Sequence, residues 1–155
     1  ISTKLQRFEE AIIYFDIAIK MKNDYSEAYF GKGIALVLML KYDEAEACYD
    51  KVIELTPKDS QIYSNKALLL LKKKMYNEAL ELCDKSIRVK YNTKLGIAFA
   101  YFTKSRVYAM MNKKKECIAN LSKAIRLNPV INQKVHECKE FDCIRNDEDF
   151  INTIS

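Results

Sequence analysis

The strongest constraint in this sequence is a self-similarity at a shift of 34 residues. Setting residues 26–59 above residues 60–93 brings Tyr29 onto Tyr63, Gly33 onto Ala67, Leu36 onto Leu70 and Tyr42 onto Tyr76. It also brings Glu44-Ala45 onto Glu78-Ala79, Asp50-Lys51 onto Asp84-Lys85 and Ile53 onto Ile87. A third copy starts at Ala98 and carries Tyr101, Ser105, Tyr108, Glu116-Cys117 and Asn128-Pro129 in the same positions, so four residues are inserted near residues 93–97. Phe8, Glu10-Ala11, Phe15 and Ala18-Ile19 fit the second half of an earlier, truncated copy. A fixed period of this length means stacked supersecondary units, because one such unit cannot bury its apolar face alone.

Each unit holds two stretches in which apolar or small residues recur every three or four positions, as at Tyr29, Gly33, Leu36 and at Ala45, Tyr49, Val52. That spacing is helical. Composition agrees: only 3 Gly and 2 Pro in 155 residues leave little material for the turns of a β-sandwich or barrel. Thr56-Pro57 and Asn128-Pro129 are placed to close second helices, since the residue before proline avoids the helical region. Gly31 and Gly33 lie inside a helical pattern and lack a third spaced glycine, so they are not a nucleotide-binding loop.

A two-helix, 34-residue unit with these residues in register resembles the tetratricopeptide repeat family, over about residues 1–129. The sequence departs from the family pattern at Lys32, Lys66 and Lys104, at Lys114, and at Tyr91. The resemblance implies an all-α fold, a right-handed superhelix of antiparallel helix hairpins whose first helices line a concave groove for peptides or partner helices. The units are then residues 1–25 (truncated, mainly a second helix from residue 9), 26–59, 60–97 with the insertion, and 98–129. Residues 130–139 are expected to form a capping helix, followed by a short acidic tail to residue 155 that shields the last unit.

Little in the sequence suggests chemistry. There is one histidine, and His136, Cys138 and Cys143 lack the number and spacing of a zinc set. Cys48, Cys83 and Cys117 fall at core positions of second helices; with five cysteines and no paired framework, a reducing, cytoplasmic setting is expected. Asp147-Glu148-Asp149 lacks the glycine of a calcium loop and suits a helix start. No enzyme activity, cofactor or metal is predicted. No apolar run is long enough to span a membrane.

Basic residues gather where each hairpin should turn, at Arg7, Lys41, Lys72 to Lys74 and Lys113 to Lys115, and the net charge is +5. Such an edge could meet RNA phosphates, but lysines at helix C-termini are stabilising without any partner. Counting each unit's first residue as position 1, at about 100° per residue, positions 2, 5, 9, 12 and 13 point away from the core, and position 7 points beside it. Position 7 holds Lys32, Lys66 and Lys104, whose stems should lie along the seam between units with the ammonium reaching water. The outward positions supply the candidate partner-binding residues Phe30, Ile34, Val37, Leu68, Leu71, Lys72, Phe99, Phe102 and Arg106. This apolar track is either a groove for a partner or surface that adjacent first helices cover.

The expected function is a non-catalytic protein-interaction module that binds an apolar or amphipathic segment of a protein or peptide. An RNA-associated repeat using the basic edge, or a structural spacer, are the alternatives, and nucleic acid is the disfavoured one. Asn65 matches one position of the family's clamp for a C-terminal carboxylate, but Phe30, Ile34, Phe99 and Thr103 fill the others, so no such clamp is expected. The truncated first unit should leave Ile12, Phe15 and Ile19 partly uncovered, an end expected to fray or self-associate.

Overall fold

A computed structural model describes residues 3–89 and 92–155. Every apolar-periodic stretch is a helix, and consecutive helices pair. After α1 (Thr3–Met21), α2 (Ser26–Leu38) packs on α3 (Tyr42–Leu55), α4 (Ser60–Lys72) on α5 (Tyr76–Arg88), and α6 (Lys94–Met110) on α7 (Lys114–Leu127). Contacts of α1 with α2, α3 with α4 and α5 with α6 join one hairpin to the next. The chain closes with α8 (Ile131–Val135), a 3-10 helix (Lys139–Ile144) and α9 (Glu148–Ile154). No strand occurs among the described residues. The fold is the all-α, right-handed superhelix of antiparallel hairpins.

The turn inside each hairpin repeats atom for atom. Leu40, Lys74 and Asn112, all at position 15, have φ of 62°, 62° and 57°. The next backbone N–H donates back to the carbonyl five residues earlier: Lys41 to Leu36, Met75 to Leu70 and Lys113 to Tyr108, each at 2.9 Å. This left-handed stop satisfies carbonyls at the end of the first helix. Only Asn112 is of a type that tolerates the conformation well.

Within the hairpins, close approach depends on small residues. A Cβ on Gly33 would lie 2.5 Å from Tyr49 Cε1, and one on Gly31 would lie 2.4 Å from Phe15 Cζ. The two glycines admit the rings of two flanking second helices, α3 and α1. Cys48, Cys83 and Cys117 are buried, as expected of small core residues. Burial pushes the Cys83 and Cys117 thiols up to about 12.

Between hairpins, the position-7 lysines do more than lie along the seam. Lys32 donates to Asp16 at 2.6 Å, and Lys66 and Lys104 donate to Asp50 and Asp84. The three aspartates share one position on α1, α3 and α5, so each lysine ties a first helix to the second helix before it. The Asp16 hydrogen bond, working against burial, raises the Lys32 pKa. The equivalent position on α7 is Ser122, and the ladder ends with the last repeat.

Two expectations are corrected. The second helix of the first unit does not begin at residue 9: α1 is continuous from Thr3 to Met21, and Arg7 lies within it instead of at a turn. Lys4-Leu5-Gln6-Arg7 contains only good helix formers, with no glycine or proline to stop it. The capping helix is also shorter than residues 130–139. α8 ends at Val135, Cys138 is extended, and the Arg145 guanidinium takes up the carbonyls of His136 and Cys138 at 3.1 and 2.9 Å. That break lets Phe141 turn back onto α6. In the acidic tail, Asp147-Glu148-Asp149 opens α9 as the helix-start reading expects, with Asp147 as the N-cap, accepting from the Asp149 and Phe150 N–H groups.

The four-residue insertion becomes an extra turn at the start of α6, which has 17 residues where α2 and α4 have 13. The turn is anchored by polar side chains: Ser60 Oγ donates to Asn92 Oδ1 at 2.7 Å, Asn92 Nδ2 donates to the Ser86 carbonyl at 2.6 Å, and Ser86 Oγ donates to the Ser60 carbonyl at 2.8 Å. Gly96 makes room, since a Cβ there would sit 2.2 Å from Asn92 Oδ1. Tyr91, where the family has proline, lies outside the described residues.

Candidate interaction groove

The outward positions of α2, α4 and α6 fall into two different environments. On α2, Ile34 and Leu38 are exposed, while Phe30 and Val37 are half-buried, Phe30 leaning on Tyr49 at 6.0 Å between ring centroids. On α4, Leu68 is half-buried and Lys72 exposed, but Leu71 is 4% exposed and belongs to the core. Ser64 is buried too, with its hydroxyl 2.8 Å from that of Ser86. Along the N-terminal ends of α4 and α6, a cleft of about 410 Å³ is lined by Gln61, Ser64, Leu95, Gly96 and Phe99, among others.

Past Phe99 the track is closed by the chain itself. Phe102 is only 2% exposed and meets Phe141 of the 3-10 helix at 6.1 Å, with Phe150 5.5 Å beyond. Arg106 donates to Glu140 at 2.8 Å, and Ala109 is buried under the same segment. Burial pushes the Glu140 carboxyl up, but the hydrogen bond and charge of Arg106 outweigh it and hold it below the usual carboxylate range. Phe102 and Arg106 are therefore corrected from open groove residues to contacts of the C-terminal cap, and Leu71 to a core residue. The 3-10 helix of the cap packs against α6, which also packs against α4.

The described hairpins match models of the tetratricopeptide repeat at residues 26–59, 48–81 and 100–131, together more than half of the chain. The chain belongs to the tetratricopeptide repeat family. No curated protein matches it. Among solved structures, a MamA RS-1 double mutant aligns over 99% of this chain and 93% of its own, with 20% identity and a TM-score of 0.70. The N-terminal domain of stress-induced protein-1 from C. elegans aligns over 75% and 95%, with 24% identity and a TM-score of 0.61. YrrB, described as a tetratricopeptide repeat protein with an unusual peptide-binding site, aligns over 96% and 75%, with 17% identity and a TM-score of 0.64. At these identities the likeness is one of fold.

The basic edges of the repeats are partly engaged. Lys73 donates to Asp43 and Glu46 at 2.7 Å each, and Lys114 to Asp147 at 2.7 Å. Asn65, the one residue in a carboxylate-clamp position, turns its amide back to the Gln61 carbonyl at 2.8 Å. Among the described residues, no three His, Cys, Asp or Glu side chains gather as a metal site, and no helix is long and apolar enough to cross a membrane.

Sequence reasoning missed one feature of the site and placed another without its residues. The lysine-aspartate ladder was visible as the 34-residue spacing of Asp16, Asp50 and Asp84, 16 residues before Lys32 and Lys66 and 20 before Lys104, the difference being the insertion. Closure of the third unit had a weaker signal, the apolar Phe141, Ile144 and Phe150 set among acids that could face Arg106.

Proposed function

We propose that this chain is a non-catalytic interaction module that holds an apolar or amphipathic segment of a partner protein along α2, α4 and the start of α6. The observation that carries the reading is the apolar track Phe30, Ile34, Leu68 and Phe99, left at least partly accessible while its continuation at Phe102 is covered by the chain's own cap. A soluble helix that already buries one face has no packing use for an exposed isoleucine and leucine on the other. Lys72 is exposed at the rim, where it would meet an acid on the segment. The pairing of Lys73 and Lys114 with carboxylates of the same chain favours protein over phosphate as the partner. A peptide-binding site in YrrB, which shares the fold, supports the same class of ligand. Five free thiols, three of them buried, fit a cytoplasmic setting.

The test is selection of displayed peptides against the whole chain. Enriched sequences should carry apolar anchors at helical or alternating spacing, and Leu68→Asp or Ile34→Asp should weaken their binding about tenfold or more. Enrichment of free acidic C-termini, or affinity unchanged in both variants, would refute the reading. Phe102→Ala is unsuitable here, since it would disturb the cap.

A further inference from the structure

The seam where α5 meets the α6–α7 hairpin carries a recess of about 280 Å³, built from none of the outward positions that line the groove. Among the described residues its charged lining is three cations, Arg88, Lys104 and Lys123, and one acid, Asp84; Asn120 and the Tyr101 ring stand beside them. The repeat supplies an internal comparison. One unit earlier the same positions hold Glu54, Lys66, Lys85 and Asp50, with Leu82 in place of Asn120. Two cations and two acids there become three cations and one acid here.

The lysines of the two seams also differ in what they meet. Lys66 hydrogen-bonds Asp50 and lies 3.6 Å from Glu46 as well, whereas Lys104 hydrogen-bonds Asp84 and has Leu80 in the position of Glu46. An ammonium carries three donors, so Asp84 leaves Lys104 with donors to spare. Lys51 on α3 is met by Glu54 three residues on, at 2.7 Å, but Lys123 at the same position of α7 has Arg126 there. Lys123 lies over the Tyr101 ring, 5.3 Å from its centroid, which holds its ammonium at the recess. Where Leu82 packs against the core, Asn120 turns its amide to the Glu116 carbonyl at 2.7 Å and makes that wall polar.

We propose that this recess is a site for a phosphate monoester. Three cations against one acid leave two positive charges, which a phosphate dianion cancels and a single carboxylate does not. The Arg88 guanidinium can take two phosphoryl oxygens at once, and Lys104 and Lys123 supply point charges on either side. Ile87 and Tyr101 give the organic part of the ester an apolar wall to rest on.

Titration of phenyl phosphate into the isotope-labelled whole chain, above about pH 7 where the ester is a dianion, tests this. Resonances of Asn120, Tyr101 and Lys104 should shift and saturate while those of Ile34 and Leu68 stay in place, and inorganic phosphate should bind the same residues more weakly. Arg88→Glu, which installs the charge that α3 carries, and Lys123→Gln should each weaken binding about tenfold with unchanged helicity. Lys51→Gln should bind like the wild type. A phosphotyrosine peptide that binds more tightly than phenyl phosphate would make a partner's side chain the source of the ester, and one that binds no more tightly would make it a free small molecule; either supports the site. No saturable shift at millimolar ester, shifts spread evenly over the exposed lysines, or an Arg88→Glu variant that binds like the wild type would each overturn the proposal.

Discussion

Gly33→Ala offers a sharp test of the hairpin geometry, because ordinary helix energetics and this structure give opposite signs. In an exposed helix interior, alanine is favoured over glycine by about 0.8 to 1 kcal/mol. At position 33 the new methyl would lie 2.5 Å from Tyr49 Cε1 and 2.8 Å from Cδ1, well inside contact distance. The ring cannot simply swing out, since Tyr49 is 2% exposed and leans on Phe30. Overpacking of this kind costs about 1 to 3 kcal/mol, so the net expectation is a loss of about 1 kcal/mol. The other hairpins supply the control, pairing Ala67 with Cys83 and Ser105 with Leu121 at the same two positions. In a Tyr49→Leu background the same Gly33→Ala change should turn neutral or stabilising, a coupling of about 1 to 2 kcal/mol. Urea unfolding followed by circular dichroism, at constant slope, reads both numbers. A Gly33→Ala midpoint above that of wild type, or equal effects in the two backgrounds, would refute the packing argument.

Leu40→Gly should raise stability by about 1 kcal/mol in the same assay, because Leu40 holds φ at 62° and is 71% exposed, so little packing is lost. Alkaline pH should destabilise the fold: the Cys83 and Cys117 thiols stand at about 12 when folded against 9 when unfolded. The unfolded chain then binds fewer protons, stability falls as pH rises above about 9, and Cys83→Ala should flatten that slope in thermal melts. Acid should loosen the cap, since the lowered Glu140 pKa contributes stability that is present above the unfolded carboxylate value and lost as pH falls through the folded one. Amide exchange in residues 139–154 should therefore accelerate in acid before that of α4 and α5, and Glu140→Gln should remove the difference.

The fold was legible because it is written several times over. A single amphipathic stretch is ambiguous, but Tyr29, Gly33 and Leu36 recurring as Tyr63, Ala67 and Leu70 fix both the helix period and the hairpin. Pro57 and Pro129 placed the ends of α3 and α7 within two residues. The ends of the array were read less well, since no second copy exists there to calibrate against. Arg7 looked like a turn residue only by analogy with Lys41, yet nothing around it breaks a helix. Projection at a constant angle found the outward face of each first helix but could not tell which neighbour covers it. Leu71 and Phe102 share that face with Ile34 and Leu68, and their burial depends on contacts from distant parts of the chain, such as Phe141 over Phe102.

The account rests on a groove that is open from Ile34 to Phe99 and closed beyond it, and residue-by-residue mapping of a bound peptide addresses that most directly. With a selected peptide titrated into isotope-labelled chain, methyl and amide resonances of Ile34, Leu38, Leu68 and Phe99 should shift together. Those of Ala109, Phe141 and Phe150 should stay in place, as should the outer lysines Lys51, Lys85 and Lys123. Shifts that cluster on those lysines, or that appear first at Phe141 and Phe150 as the cap is displaced, would contradict it.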